Sequence, residues 1–301
     1  MDTIDGMRTF AAVATAGSFT AAAKKLGIST NLASKYVARL EDRLGVRLMN
    51  RTTRSLSLTE VGQAYFARCQ QLLDDLEDLE SAVQHVQTAP RGTLTVTAPQ
   101  TFGEMYLTGL IAAFLEEQPG LSVDLTLTDR FVDLVDEGFD LAIRIGVLED
   151  SSLIARRLAD NRIVACAAPA YLARAGKPAR PEDLKDHACI IDTNVRSPTR
   201  WPFRVDGARQ MIPVEGRFHV NSSRAVRDLV LEGVGVGLCP AYAVGPDVGA
   251  GRLTVILGEF CAMDVAVHAV YPHNRYLAPK VRSFVDFLAD RFGPTPVWER
   301  F

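Results

Sequence analysis

The 301-residue chain carries 33 Lys and Arg against 36 Asp and Glu, a formal net charge of -3, with 48% hydrophobic and 23% charged residues. Such a composition belongs to folded domains, and the length suffices for two or three of them. A charge so close to balance by itself argues against a nonspecific nucleic-acid coat protein, and no apolar run approaches the length of a bilayer crossing.

Residues 4–16 form the first predicted helix, with Ile4, Met7, Phe10, Ala11 and Ala14 on its apolar side and Gly17 ending it. Ser18 is a candidate N-cap for an alanine-rich helix over residues 19–26, closed by Gly27 in a left-handed conformation. Ser29 or Thr30 caps the next helix, where Ala33, Val37, Leu40 and Leu44 recur at steps of four and three and predict one buried stripe. On the opposite face Asn31, Ser34, Lys35 and Ala38 fall together, flanked by Thr30 and Arg39. Small, polar and basic groups on a short helix suit a major groove, with N-terminal residues near base edges and cations near phosphates.

Residues 46–48 and 55–58 then read as short strands around Arg51, Thr52, Thr53 and Arg54, and a tip with two arginines suits a phosphate backbone or minor groove. Nine Lys and Arg precede Thr59 against four Asp and Glu, so the N-terminal module is positive on an otherwise slightly acidic chain. A helix pair with a solvated face and a charged loop is the competing structural reading of the same residues.

From Thr59 the residues Tyr65, Cys69, Leu72, Leu76, Leu79, Val83 and Val86 alternate in steps of four and three, a heptad seam that calls for a second helix, most simply from another subunit. Pro90 and Gly92 mark a hinge. Beyond it strands (93–98, 121–128, 141–145) alternate with helices (106–117, 131–137), and a second series begins at residues 162–168. That series continues through a helix at 169–175, strands near Cys189 and Val214, a helix at 222–232 and a strand at 236–239. A strand at 265–271 and a helix at 277–292 close the chain. The pattern predicts a largely parallel sheet covered by helices.

The segment LGISTNLASKYVARLEDRLGVRLMNRTTRSLSLTEVG resembles the N-terminal region of LysR-type transcriptional regulators, through Ala22, Ala23, Leu26, Ser29, Ser34, Leu40, Glu41, Leu44, Gly45, Leu48, Arg51, Thr52, Thr53, Leu58, Thr59 and Gly62. Thr30-Asn31 and Leu32-Ala33 depart from the usual pattern after the capping serine, so base preference does not carry over. VTAPQTFG, RFVDLVDEGFDLAIRIG, APAYLARAG, LVLEGVGVGLCPAY and YPHNRYLAPKVRSFVDFL extend the resemblance over essentially the whole chain. It implies an α plus α/β protein: a winged helix-turn-helix at residues 1–58, a linker (dimerisation) helix at 59–88, and an effector domain at 89–301. The effector domain is expected to be two-lobed, like periplasmic solute-binding proteins, with lobe I at about 89–162 and 265–301 and lobe II at about 163–264.

Ser18, Ser29, Thr30, Asn31, Ser34, Lys35, Arg39, Arg51, Thr52, Thr53 and Arg54 are the candidate DNA-binding residues. Helix-starting amides after Ala98, with the Gln100 amide and Thr101 hydroxyl, could hold a carboxylate. The resemblance places an inducer there, against Gln100, Thr101, Phe102, Thr128, Arg144, Gly146 and Asn221. Arg144 could meet an anion or form a structural ion pair. The implied inducer is a small organic acid or aromatic compound. The implied partners are a promoter inverted repeat in double-stranded DNA, further copies of the chain up to a homotetramer, and RNA polymerase.

Cys69, Cys166, Cys189, Cys239 and Cys261 are widely spaced and odd in number, which predicts reduced thiols without disulfide or metal roles. Gly233, Gly235 and Gly237 follow a helix and precede a strand, the reverse of a dinucleotide loop, and read as a C-cap and close packing. No nucleophile, acid and base stand together, so no enzyme, cofactor or metal is expected, and the location expected is the cytoplasm without membrane contact. The alternatives are a solute-binding or catalytic α/β protein whose basic head serves assembly only, and an architectural protein without base preference.

Overall fold

Asp2 opens the first helix, α1 (Thr3–Ala16), by accepting a hydrogen bond from the Ile4 amide at 3.3 Å, and Gly17 ends it at φ 61°. The structure is a computed structural model that describes residues 2–51, 56–83, 90–146, 153–261, 264–272 and 277–301, and it divides into two units, 1–89 and 90–301.

In the first unit Ser18 caps α2 (Phe19–Leu26) through the Ala21 amide, and Ser29 caps α3 (Thr30–Leu44) through the Leu32 amide at 3.2 Å. Gly27 and Gly45 close these helices at φ 68° and 69°, conformations open to glycine at little cost. Strands β1 (Met49–Arg51) and β2 (Leu56–Leu58) pair antiparallel, and α4 (Glu60–Val83) follows. Phe10, Val13, Val37, Leu40, Leu48 and Met49 form the core, and Phe10 meets Tyr65 and Phe66 edge-on at 5.6 and 6.2 Å.

Two expectations for this unit need correction. Leu44 is 39% exposed, because α3 ends at Gly45 before its last turn reaches the core. The first strand of the hairpin begins at Met49, three residues late. The cause is Glu41, whose buried carboxylate accepts from the Leu48 and Met49 amides at 2.8 and 3.1 Å and holds that segment to α3.

The second unit starts with β3 (Gly92–Ala98) and one continuous helical stretch: α5 (Gln100–Phe102), a π-helical turn (Gly103–Leu107) and α6 (Thr108–Glu117). β4 (Leu121–Leu127) and β5 (Leu141–Gly146) run parallel to β3. The helix expected at 131–137 is a single turn: Glu137 donates to the Asp133 carbonyl at 3.0 Å, and Gly138 at φ 74° stops it. Of the apolar residues that suggested it, Leu134 is buried but Phe131 is 91% exposed.

β6 (Leu153–Ala167) is the long strand of the unit. Its first part pairs with β13 (Asp264–Pro272), and from Ile163 onward it pairs with β11 (Val236–Pro240) and, at its end, with β12 (Thr254–Ile256). Between these lie α7 (Pro169–Ala175), β7 (Cys189–Asp192), the hairpin β8 (Arg200–Val205) and β9 (Ala208–Pro213), β10 (Phe218–Val220), α8 (Ser223–Leu231) and α9 (Ala241–Gly249). α10 (Pro279–Phe292) and a 3-10 turn (Val297–Glu299) complete the order. Among the described residues nine strands of this unit form one sheet in the order β10-β7-β11-β6-β13-β5-β3-β4, with β12 on β6, and β8 and β9 form a separate two-stranded sheet. Two lobes therefore share β6. The sheet is mixed rather than largely parallel, because β13 lies antiparallel to β5 and β6, and β11 to β6.

The glycines after α8 behave as close-packing residues. Gly233 caps the helix at φ 70°, and a Cβ at Gly235 or Gly237 would lie 2.3 Å from the Ala188 carbonyl oxygen or 2.6 Å from Val230.

Candidate nucleic-acid interface and effector cleft

The polar face of α3 is presented to solvent. Thr30, Asn31, Lys35 and Arg39 are exposed, and Ser34 and Ala38 are half-buried beside them. Ser18 and Ser29 serve this face indirectly, since each hydroxyl accepts a helix-starting amide and so fixes the angle at which α2 or α3 leaves its turn. Arg51 closes the β1–β2 ladder opposite Leu56. Thr52, Thr53 and Arg54 lie outside the described residues, as does the side chain of Arg51.

Glu41, Thr59 and Gly62 lock the hairpin behind this face. Glu41 ties it to α3, as described. The Thr59 hydroxyl donates to the Arg47 carbonyl at 2.8 Å and accepts from the Gly62 amide at 2.9 Å, while the Thr59 amide donates to the Leu48 carbonyl. A Cβ at Gly62 would sit 1.9 Å from the Leu48 oxygen, so the backbone of α4 approaches the hairpin as only glycine permits. Glu41 and Gly62 were legible only as members of the family pattern, whereas the Thr59 hydroxyl is also a good helix start by itself and caps α4 here.

The predicted seam on α4 divides into two kinds of residue. Cys69 is buried at 1% exposure in the core of its own unit, its thiol pushed up to about 11 by burial, and Tyr65 packs on Phe10. The first turns of α4 thus have a helical partner within the same unit, namely α1. Leu72 is 55% exposed and Leu76 half-buried. Val61, three turns before Leu72 and on the same face, is 52% exposed. Val86 and the side chains of Leu79 and Val83 lie outside the described residues.

In the second unit the turn after β3 and the loops of both lobes meet. The Gln100 amide donates to the Asp129 carboxylate at 3.1 Å, and the other oxygen of Asp129 accepts from the Asn194 side-chain amide at 3.1 Å. Asn194 also donates to the Asn221 carbonyl at 2.7 Å. Glu104 pairs with Arg224 at 3.2 Å, a second link between the lobes. Asp192 accepts from the Asn194 amide and the Ser223 hydroxyl at 2.9 and 3.1 Å; its carboxyl is raised above the usual range, by burial first, although those two hydrogen bonds oppose the shift. Asp129 adds to the rise by like charge.

Of the predicted pocket residues, Gln100 is exposed, and its side chain donates to Glu104 at 3.3 Å. Thr128 is half-buried: its amide donates to the Ala98 carbonyl and its hydroxyl accepts from the Arg130 amide. Thr101 is buried at 4% exposure, and Phe102 is fully buried among Tyr106, Tyr242, Phe292 and Trp298. The Phe102 ring is therefore core, and its main chain is what the turn presents. Gly146 ends β5 at φ 145°.

Arg144 donates to the Arg130 carbonyl at 3.4 Å and lies 5.5 Å from the Phe131 ring centroid. No carboxylate of the described residues forms an ion pair with it; Glu137 pairs with Arg130 instead. Burial, then the Arg130 charge, lowers the Arg144 pKa, which leaves a partly desolvated cation beside the strand end. Asp192 and Asn194 stand two residues apart at the end of β7, but Asp129, Glu104 and Arg224 come from other loops and helices, and no spacing in the sequence joins them to that pair.

Residues 4–63 match the family model described as bacterial regulatory helix-turn-helix protein, lysR family, and residues 87–293 match the LysR substrate binding domain. The chain belongs to the LysR family of transcriptional regulators. The HTH-type transcriptional regulator PtxR of Pseudomonas aeruginosa is 37% identical over 97% of this chain and 94% of its own length. The HTH-type transcriptional activator AaeR of Escherichia coli is 35% identical over the same shares. The solved structure of CrgA, a LysR-type regulator from Neisseria meningitidis, superposes with a TM-score of 0.63 at 33% identity, covering 96% of this chain and 98% of that one. As a LysR-type regulator the protein joins a DNA-binding head to an effector-binding domain. No helix among the described residues is long and apolar enough to cross a membrane.

Proposed function

We propose that α3 enters the major groove of a promoter inverted repeat, with Asn31, Ser34 and Lys35 over the bases and Arg39 toward a phosphate. The hairpin carrying Arg51, Thr52, Thr53 and Arg54 is assigned to the neighbouring backbone or minor groove. The observation that supports this reading best is the exposure of Thr30, Asn31, Lys35 and Arg39 on one face of a helix whose other face is the core. Two heads on one dimer would read the two half-sites. The pairing surface is drawn from Val61, Leu72 and Leu76, with Leu79, Val83 and Val86 further along the helix; effector domains pair a second time to give a tetramer, and RNA polymerase is the further partner.

The inducer, a small organic acid or aromatic compound, is assigned to the cleft at Gln100, Thr101, the Phe102 main chain, Thr128, Arg144, Gly146 and Asn221. Ligand seated there would exchange the Asp129–Asn194 and Glu104–Arg224 links for its own contacts and shift the balance of lobe arrangements. The protein works in the cytoplasm and catalyses no reaction.

Footprinting on the DNA upstream of its own gene tests the DNA assignment, with salt titration of the same complex. A discrete protected region and binding that weakens steeply with salt are expected. A smeared footprint would instead support an architectural protein, and no binding at all would support the assembly-only head. Thermal-shift screening of small acids and aromatic compounds on the full chain tests the cleft.

A further inference from the structure

β6 passes from one lobe to the other between Arg162, which pairs with Asp264, and Ile163, which pairs with Pro240. The polar groups at this crossing are held by the end of the chain. The Arg162 amide donates to the Glu299 carboxylate at 2.6 Å, and the Arg162 guanidinium pairs with the other oxygen of that carboxylate, whose side chain is only 8% exposed. The Trp298 indole donates to the Asp160 carbonyl at 3.0 Å. The Phe301 ring lies 4.8 Å from the Arg162 guanidinium carbon.

The same short segment touches both lobes. On the lobe I side the Trp298 ring lies 5.6 Å from Phe102, the last residue of the predicted inducer turn, and 4.7 Å from Tyr106, which follows it. On the lobe II side a Cβ at Gly245 of α9 would stand 2.3 Å from the Trp298 carbonyl oxygen, so helix and tail are in backbone contact. Tyr106 and Asn161 complete the joint: the Tyr106 hydroxyl donates to the Tyr242 carbonyl at 3.0 Å, and the Tyr242 amide donates to the Asn161 side-chain oxygen at 3.1 Å. The side-chain nitrogen of Asn161 is buried without an acceptor, an energetic cost located at the crossing itself.

We propose that residues 297–301 form a brace that sets the angle between the two lobes, with Trp298 and Glu299 as positioning residues linking the Gln100–Phe102 turn to the β6 crossover. A movement of Phe102 or Tyr106 presses on Trp298, and Trp298 is fastened to the strand about which the lobes turn. This device acts on lobe geometry whatever compound the cleft takes.

Spin-labelled noncanonical amino acids at exposed Glu116 in lobe I and Ala173 in lobe II, introduced into the full chain and diluted with unlabelled subunits, report the inter-lobe distance. Glu299→Gln is expected to broaden that distribution roughly twofold, by releasing arrangements now held in one basin. Glu299→Asp should restore most of the narrow distribution, and Phe301→Ala should broaden it with little loss of thermal stability, so the test stands even if Glu299→Gln fails to fold. Arg291→Ala, which removes an exposed pair with Glu117 elsewhere on lobe I, should leave the distance unchanged. Wild-type distributions in folded Glu299→Gln and Phe301→Ala would overturn the proposal, as would equal broadening in Arg291→Ala.

Discussion

The Glu41 carboxylate on α3 accepts a hydrogen bond from the Leu48 amide at 2.8 Å, with the Met49 amide on the same oxygen, so α3 and the start of the hairpin are tied together. Removing it strands two buried donors. Glu41→Ala is expected to destabilise the N-terminal unit by about 2–4 kcal/mol, since bonds to a charged acceptor are strong and unmet buried amides costly. Glu41→Gln should lose less. Urea unfolding followed in the helical signal measures both, and an unchanged midpoint in Glu41→Ala would show the link to be idle.

Lys35 is exposed on the face assigned to DNA and holds no part of the core. Lys35→Ala should leave the melting temperature unchanged while weakening specific binding and lowering the slope of log K against log salt by about 1. Fluorescence anisotropy at several salt concentrations supplies both numbers. A preserved slope would remove Lys35 from the phosphate contacts.

Position on α4 should separate pairing from folding. Leu72→Glu is expected to shift the protein toward monomer in sedimentation with its fold intact, because the side chain stands in solvent within one subunit. Cys69→Ala should instead lower stability by about 1 kcal/mol and leave assembly alone, as the thiol is packed in the subunit core. The reverse pattern would return the seam to the Tyr65–Cys69 face.

His268 sits on β13 between Arg144 of β5 and Arg157 of β6, with its Nδ1 buried and unpartnered. Burial first, and then the Arg157 charge, lowers its pKa in the folded state. Below an unfolded value of about 6.5 the unfolded chain takes up the proton first, so stability present above that pH is lost as pH falls toward the folded value. The fall in melting temperature from pH 7 to 5 should be smaller in His268→Gln. Identical pH profiles would assign the loss to other groups.

The N-terminal elements were legible because each boundary is a local event. Ser18, Gly27 and Ser29 act within four residues of themselves, and α2 and the start of α3 lie where they are expected. The hairpin slipped because Glu41 acts on Leu48 and Met49 from seven and eight residues away. α9 went unread for a similar reason. Gly245, Pro246 and Gly249 oppose a helix locally, and contact with Trp298, far along the chain, pays for it. At 131–137 apolar spacing suggested a helix, but the amides of Val135 and Asp136 turn to the Asp133 carboxylate. In the cleft, Gln100, Thr128 and Arg144 could be named from family resemblance, whereas Asp129 and Asn194 meet only through tertiary structure.

β6 belongs to both lobes without interruption. A protease cut that frees one lobe must therefore sever paired backbone, so limited digestion should not release a stable half of the effector domain. Heat should likewise melt that domain in a single calorimetric peak. Grafting one lobe alone onto another regulator would leave a raw strand end, open to the next chain it meets.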